Sequence, residues 1–448
     1  MGMTSASAGY FDRVADQWDT LRSGYFQESL REAAIAKAYL RPEAEVADIG
    51  TGTGFVAAGL APLVSQVYAL DGSSAMLDVA RRNLASFANV IYRDCDGSSL
   101  ALEDASMDTV FANMYLHHCA DPAAAIREMV RVLKPGGRLV ITDMNQHDHA
   151  WMREEMADEW LGFERDQILA WFREAGLVNI LVDSTSESCC ANSTTSEIAT
   201  AKIGVFVATG SRRVVGAREA VQANYGAVAE GAGCGCSAEA APAASDSCCC
   251  SGEASSASSC CAPANAMDQI EVTEGEAGLA WVTGYSAEQL GAVPAEAANL
   301  SLGCGNPTAL ASLKAGEVVL DIGSGAGIDA FYAAKRVGPS GKVIGLDMTP
   351  SMVERARRSA QEAGLQQVDF RLGNAEDMPV GTGRVDVVLS NCVINLCEDK
   401  GKVFEEAFRV LKPGGRLSIS DMVTDKPLPL SWRSDPAAWA GCIHGALP

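Results

Sequence analysis

Positive charge is scarce in this chain. Lys and Arg number 35 against 57 Asp and Glu in 448 residues, a formal charge of −22. Phosphate backbones are held by clustered Lys and Arg, so nucleic acid is a poor partner. Long apolar runs are lacking too, and none approaches the ~20 residues of a membrane helix. The opening Met1 to Tyr10 shows no basic-then-apolar signal pattern. These absences predict a cytoplasmic protein. In that compartment its 15 cysteines are expected mostly as thiols, and so as ligands, nucleophiles or metal sites rather than bridges.

What is present is duplication. The length exceeds one ordinary hydrophobic core, and two segments recur in order. Asp48-Ile49-Gly50-Thr51-Gly52-Thr53-Gly54 returns as Asp321-Ile322-Gly323-Ser324-Gly325-Ala326-Gly327. Arg131-Val132-Leu133-Lys134-Pro135-Gly136-Gly137-Arg138-Leu139 returns as Arg409-Val410-Leu411-Lys412-Pro413-Gly414-Gly415-Arg416-Leu417. The spacing between the two motifs is nearly the same in both copies, which implies duplication or fusion of one fold.

Short apolar runs predict buried strands at 45–49, 66–71, 90–93, 108–113 and 138–143, with two more at 178–183 and 202–209. Helical spacing at 26–40, 75–87, 123–133 and 151–175 alternates with them, as right-handed crossovers in a parallel sheet require. The second half predicts a short helix at 286–290 and strands at 318–322, 342–347, 369–372, 386–390 and 416–421. The first domain is complete by about Gly210. The second stops soon after its fifth strand, so its sheet is expected to be short or its edge otherwise covered. The expected domains are 1–210 and 286–448, joined by a linker over 211–285. Within that linker, Gly231 to Ala266 holds Ala, Ser, Gly, Pro and seven cysteines. So few large apolar side chains cannot offset the ordering entropy, which predicts a flexible tether.

A strand ending in Asp-Ile-Gly and continuing Gly-x-Gly lets backbone approach a ligand at the carboxyl edge of a parallel sheet. A dinucleotide fold would need Gly-x-Gly-x-x-Gly, but Phe55 and Ile328 occupy the required third position. What remains resembles the class I S-adenosylmethionine-dependent methyltransferases, whose cofactor has no phosphate to cradle. An acid ending the second strand, Asp71 or Asp347, completes the pattern in each half. The resemblance implies an α/β fold of two tandem doubly wound, Rossmann-like domains, the second lacking its last strands. It implies that Asp48, Gly50, Gly52, Asp71 and Asp94 contact the cofactor in the first half. In the second half it implies Asp321, Gly323, Gly325, Asp347, Met348, Asn374, Ala375, Glu376 and Asn391. The glycines would line methionine and ribose. Asp71 and Asp347 would accept from the ribose diol, and Asp94 and Asn374 to Glu376 would lie near adenine.

From about Arg218 to Ala446 the chain resembles the arsenite methyltransferases. The motifs are Asn224-Tyr225-Gly226, Gly303-Cys304-Gly305-Asn306-Pro307, Gly345-Leu346-Asp347-Met348-Thr349, Asn391-Cys392-Val393-Ile394-Asn395-Leu396 and Gly441-Cys442-Ile443-His444-Gly445-Ala446. The resemblance implies that Cys304, Cys392 and Cys442 bind trivalent arsenic, with Cys234 or Cys236 as an upstream redox partner. Soft arsenic suits three sulfurs, and its lone pair stays free to attack the sulfonium methyl. The activity implied is methylation of arsenite in detoxification, with thioredoxin or glutathione restoring the thiols. Alternatives are an arsenite-sequestering protein without turnover, or a chain active only through its first half on a small metabolite such as a quinone precursor.

Other cysteines are harder to read. Cys397 matches no family cysteine and reads as packing or surface. The clusters Cys248-Cys249-Cys250 and Cys260-Cys261 lack zinc-like pairing, and read equally as a soft-ion trap or a tether. Cys189-Cys190 is a weaker soft-ion candidate. Where the second half has Asn-Cys-Val-Ile-Asn-Leu, the first has Asn113-Met114-Tyr115-Leu116-His117-His118-Cys119. His117 or His118 is a candidate general base for an oxygen or nitrogen acceptor, though a pocket-wall role is favoured.

Overall fold

The computed structural model describes residues 5–95, 99–193, 200–230 and 285–448, the last span without 287, 288, 290, 292, 301 and 302. The chain forms two compact units, Met1–Val215 with Asp425–Ser434, and Gly216–Thr424 with Asp435–Pro448.

In the first unit, β1 (Glu45–Ile49), β2 (Gln66–Asp71), β3 (Val90–Asp94), β4 (Met107–Asn113), β5 (Leu133–Met144), β6 (Leu177–Asn192) and β7 (Thr200–Arg212) form one sheet. Its order is β3-β2-β1-β4-β5-β7-β6. The first five strands run parallel and β7 is antiparallel to both neighbours. Val46, Ala47 and Ile49 on β1 are buried whichever face they occupy, as expected of a strand covered by helices on both sides.

In the second unit, β8 (Val318–Ile322), β9 (Lys342–Asp347), β10 (Val368–Leu372), β11 (Val385–Asn391) and β12 (Leu411–Ser420) take the order β10-β9-β8-β11-β12, all parallel. The sheet is short, as the sequence predicts, with β12 at its edge among the described residues. The consequence is visible position by position. Val130 and Leu139 are buried in the first copy, whereas their counterparts Phe408 and Leu417 are 83% and 38% exposed. In the first copy β7 pairs along β5 from Arg138 to Met144.

Several sequence expectations change. The fifth strand, expected at 138–143, begins earlier, within the Leu-Lys-Pro-Gly-Gly run at Leu133. Pairing jumps from Met107↔Leu133 to Thr109↔Arg138, so the intervening residues bulge out, with Gly136 at φ +76°. The helix expected at 26–40 spans only Glu28–Ala36, and that at 151–175 divides into Met152–Glu155 and Arg165–Glu174. The expected linker starts too early, because the helix Ala217–Ala229 belongs to the second unit. Asp425–Ser434 belongs to the first unit, where Arg433 donates to the carbonyl of Gly136 at 2.5 Å. The short helix at 286–290 falls largely outside the described residues.

Candidate functional site

Each glycine turn closes on the acid at the end of the neighbouring strand. Asp347 accepts from Gly325 N (2.9 Å) and Thr349 N (2.8 Å). Asp71 accepts in the same way from Gly52 N (2.7 Å) and Ser73 N (2.9 Å). Each oxygen keeps a lone pair for a diol. Gly50 and Gly323 take φ of +69° and +66°, and a Cβ there would collide with Tyr115 and Val393 respectively. Only glycine satisfies both the left-handed backbone and the close approach.

In the second unit these residues line a cavity of about 1040 Å³, with Asp321, Gly323, Gly325, Asp347, Met348, Ala375, Glu376 and Asn391 on its wall. The carboxylates make it suited to a cation. Asp321 is buried, and its Oδ2 has no hydrogen-bond partner among the described residues. Burial, then the neighbouring Asp329 and Asp347, push its pKa well up, which a cationic ligand would reverse. S-adenosylmethionine, with an ammonium, a sulfonium and a ribose diol, fits this wall. In the first unit Asp48, Gly50, Gly52 and Asp71 line a cavity of about 540 Å³. Asp48 accepts from Thr51 Oγ1 (2.7 Å) and Ala57 N (3.1 Å), and burial raises its pKa to about 7.

Two expected contacts fall away from these cavities. Asp94 is exposed at the end of β3, in register with Asp71, and is not among the residues lining the first unit's cavity. Asn374 bridges to Asp377 instead of lining the cavity. The helix Ala217–Ala229 adds residues that the sequence reading missed. Arg218 pairs with Glu376 at 3.0 Å, Gln222 donates to Met348 O at 2.9 Å, and Tyr225 joins the wall. The Asn-Tyr-Gly motif inside that helix was the available signal.

The three expected cysteines come together. The thiol of Cys392 interacts with those of both Cys304 and Cys442 and shifts their titration, although the three sulfurs do not all lie within 4.8 Å of one another. These interactions, largest first, lower Cys304 and bring Cys442 down to about 7, while Cys392 is raised as the shared partner. Tyr225 Oη lies 3.4 Å from Cys442 Sγ. Cys392 (φ +58°) and Cys442 (φ +61°) both adopt the left-handed region, which is uncommon without glycine. Met114, the counterpart of Cys392, also has φ +50°, so that bend belongs to the fold and the second copy has placed a thiol on it.

Three asparagine and aspartate networks fix the thiols. Asn391 Oδ1 accepts from Cys304 N (3.1 Å) and Gly305 N (3.2 Å), while its Nδ2 donates to Gly305 O (2.8 Å) and Asp329 Oδ2 (3.0 Å). Tyr285 Oη completes the anchor by donating to Asp329 Oδ1 at 2.7 Å. Asn391 thus lines the cavity but spends its amide on the Cys304 loop. Asn395 Nδ2 donates to Cys442 O (2.5 Å) and approaches Cys392 Sγ (3.7 Å). Asp421 accepts from Ile394 N (2.8 Å) and Asn395 N (3.2 Å). Cys397 is half-buried with its thiol on Val393 O, and it stands on the wall of the same cavity. Cys234, Cys236, the Cys248 cluster and Cys260-Cys261 lie outside the described residues.

Two family profiles, each described as a methyltransferase domain, match residues 47–141 and 313–447. Both units carry a methyltransferase domain. The arsenite methyltransferase of Halobacterium salinarum is 50% identical over 163 residues, which is 36% of this chain and 41% of that protein. That of Homo sapiens is 41% identical over 138 residues, 29% of this chain and 37% of that protein. The chain therefore spans less than half the length of these curated relatives. Among solved structures, an arsenic(III) S-adenosylmethionine methyltransferase from Chlamydomonas reinhardtii is 40% identical, covering 36% of this chain and 56% of that chain, with a TM-score of 0.33. Among the described residues, no helix of either methyltransferase domain is long and apolar enough to cross a membrane.

Proposed function

We propose that the second unit methylates arsenite, holding trivalent arsenic on Cys304, Cys392 and Cys442. The observation that carries this reading is that Cys392, whose thiol interacts with those of Cys304 and Cys442, also lines the cofactor cavity. Arsenic bound at that junction sits on the wall of the space that would hold S-adenosylmethionine. A sequestering site would need the thiol cluster but not this adjacency.

The bound cofactor would supply an electrophilic methyl group. The chain's own residues do the placing. Asp347, Gly323 and Gly325 orient the ribose and methionine portions, and Asp321 meets the ammonium. The thiols lose their protons as arsenic binds. Cys442, already near neutral in pKa, is the first of them to ionise. Three sulfurs leave the arsenic lone pair as the nucleophile, so no general base is required. Each transfer would take arsenic from the trivalent to the pentavalent state, so repeated transfer to mono- and further methylated arsenicals would need two electrons from a thiol pair, which closes as a disulfide. Thioredoxin or glutathione would keep the thiols reduced, with Cys234 or Cys236 as redox partner. Such a site serves arsenic detoxification in the reducing cytoplasm.

The test is to incubate the reduced full-length protein with arsenite, methyl-labelled S-adenosylmethionine and thiol, and to separate the arsenic species. Labelled methylarsenicals, abolished by Cys392→Ser, are expected. Tight arsenite binding without product would replace the reading with sequestration. An unchanged rate in Cys392→Ser would overturn the assignment of the thiols.

A further inference from the structure

The first unit holds a second chamber. A cavity of about 380 Å³, walled mainly by aromatic rings and Met side chains with His117, Asp158 and Cys189 among them, lies beside the cofactor cavity and shares Phe11, Trp18, Phe26, Met114 and His118 with it. A chamber of this size and apolar character is typical of a small-molecule site. Of the shared residues, His118 alone carries a titratable group. His118 therefore stands where the two cavities adjoin.

The copies diverge at this position. Counting from the repeated arginines, His117 and His118 stand where the second unit has Asn395 and Leu396. Asp143 takes the part of Asp421, accepting the amides of Leu116 (3.0 Å) and His117 (3.4 Å), and its Oδ1 also lies 2.7 Å from His117 Nδ1. The neighbouring His118 is oriented separately. Its Nδ1 donates to the carbonyl of Ala157 at 3.2 Å, a carbonyl that also accepts from Ser7 Oγ at 2.9 Å. Ala157 has φ +58°, a strained conformation for a residue with a Cβ. That hydrogen bond fixes the tautomer and leaves the basic lone pair on Nε2.

We propose that the first unit is a separate methyl-transfer site for a compact aromatic molecule bearing an acidic hydroxyl, with His118 Nε2 as the base. The acceptor oxygen attacks the sulfonium methyl as its O–H bond breaks and the proton passes to His118. The methyl carbon's bond to sulfur breaks, and its electron pair stays on the cofactor sulfur as a thioether. Electrostatics narrows the acceptor. Burial opposes charge on His117, but Asp143 and Asp158 outweigh it and raise His117 to about 9. Burial and that neighbouring cation lower His118 well below its ordinary value. A base of this strength serves a phenolic or enolic hydroxyl, not an aliphatic alcohol. The inference is independent of the arsenic reading.

The experiment uses the full chain carrying Cys392→Ser, with 4-nitrophenol as probe and nitrobenzene as its hydroxyl-free analogue. Methyl-labelled S-adenosylmethionine should yield labelled 4-nitroanisole, and His118→Ala should lower kcat at least roughly 100-fold. Apart from turnover, equilibrium dialysis should show 4-nitrophenol bound roughly tenfold more tightly than nitrobenzene, a preference that His118→Ala and His118→Gln abolish. Circular dichroism and a urea unfolding transition of the first unit matching those of the parent report that each variant is folded. Equal binding of the two probes by the parent, absence of the ether, or an undiminished rate in a folded His118 variant would each overturn the proposal.

Discussion

Tyr225 places its hydroxyl 3.4 Å from the sulfur of Cys442, so a helix early in the second unit touches a thiol near residue 448. Cys442 is lowered to about 7 first by the hydrogen bond to Cys392, against the opposing effect of burial, and then by Tyr225. Tyr225→Phe removes the last of these and should raise the Cys442 titration midpoint by up to about one pH unit. Thiolate absorbance near 240 nm, read as the difference between the parent and Cys442→Ser, measures it. A midpoint that does not rise would mean that the hydroxyl exerts no hold on the thiolate.

Asn391 is the rivet of the Cys304 loop. Asn391→Ala strips Asp329 of a donor at 3.0 Å and frees the amides of Cys304 and Gly305. Leaving such buried partners unsatisfied costs about 1–3 kcal/mol. Urea unfolding of the full chain should show the loss in the transition of the second unit, and Cys304 should react faster with a thiol reagent. Unchanged labelling of Cys304 would show that the loop holds itself without the amide.

Cofactor binding to the first unit should depend on pH. Burial, the largest effect, raises Asp71 from 3.8 to about 6 against its backbone hydrogen bonds. The folded pKa exceeds the unfolded one, so the native carboxyl keeps its proton between about pH 4 and 6, where the unfolded chain has lost it. Its contribution to stability therefore falls as pH rises through that window and levels off above. A ribose diol needs the carboxylate as acceptor, so affinity moves the opposite way. Between pH 5 and 7 the ionised fraction, and with it the affinity, should rise roughly tenfold. Calorimetric titration of S-adenosylmethionine into Asp347→Ala, which disables the second cofactor site, reads this directly. An affinity flat across the window would place the Asp71 pKa outside it.

Local signals made most of this readable. The Asp-Ile-Gly-x-Gly turns and the strands before them are fixed by short-range sterics and continuous apolar runs, and they stand where the sequence puts them. Cys304, Cys392 and Cys442 stand out in the sequence through their motifs, whereas their proximity depends on three separate elements. The helix Ala217–Ala229 was lost in the linker because the residues it buries, Ala217, Val221 and Ala229, are too small to make a strong apolar stripe. Asp94 ends β3 in register with Asp71, and strand-end counting cannot tell such a last paired residue from the loop beyond it. The anchoring of Asn391 on Asp329 and Tyr285 is a tertiary network between distant segments, and no local pattern encodes it.

Asn395 offers the sharpest separation between a thiol cluster and a three-thiol site. Its amide donates to Cys442 O at 2.5 Å and reaches toward Cys392 Sγ at 3.7 Å, while its backbone is held by Asp421. Cys442 sits at φ +61°, a conformation that needs outside support. Asn395→Ala removes that support and leaves Cys304 and Cys392 in place. A two-thiol site still captures arsenite, but roughly ten- to hundredfold more weakly. Arsenite should then protect Cys304 and Cys392 from alkylation in the variant, against all three cysteines in the parent, as read by mass spectrometry of labelled peptides. Protection of Cys442 that survives the substitution would mean that the metalloid itself organises the third ligand, and that Asn395 serves packing alone.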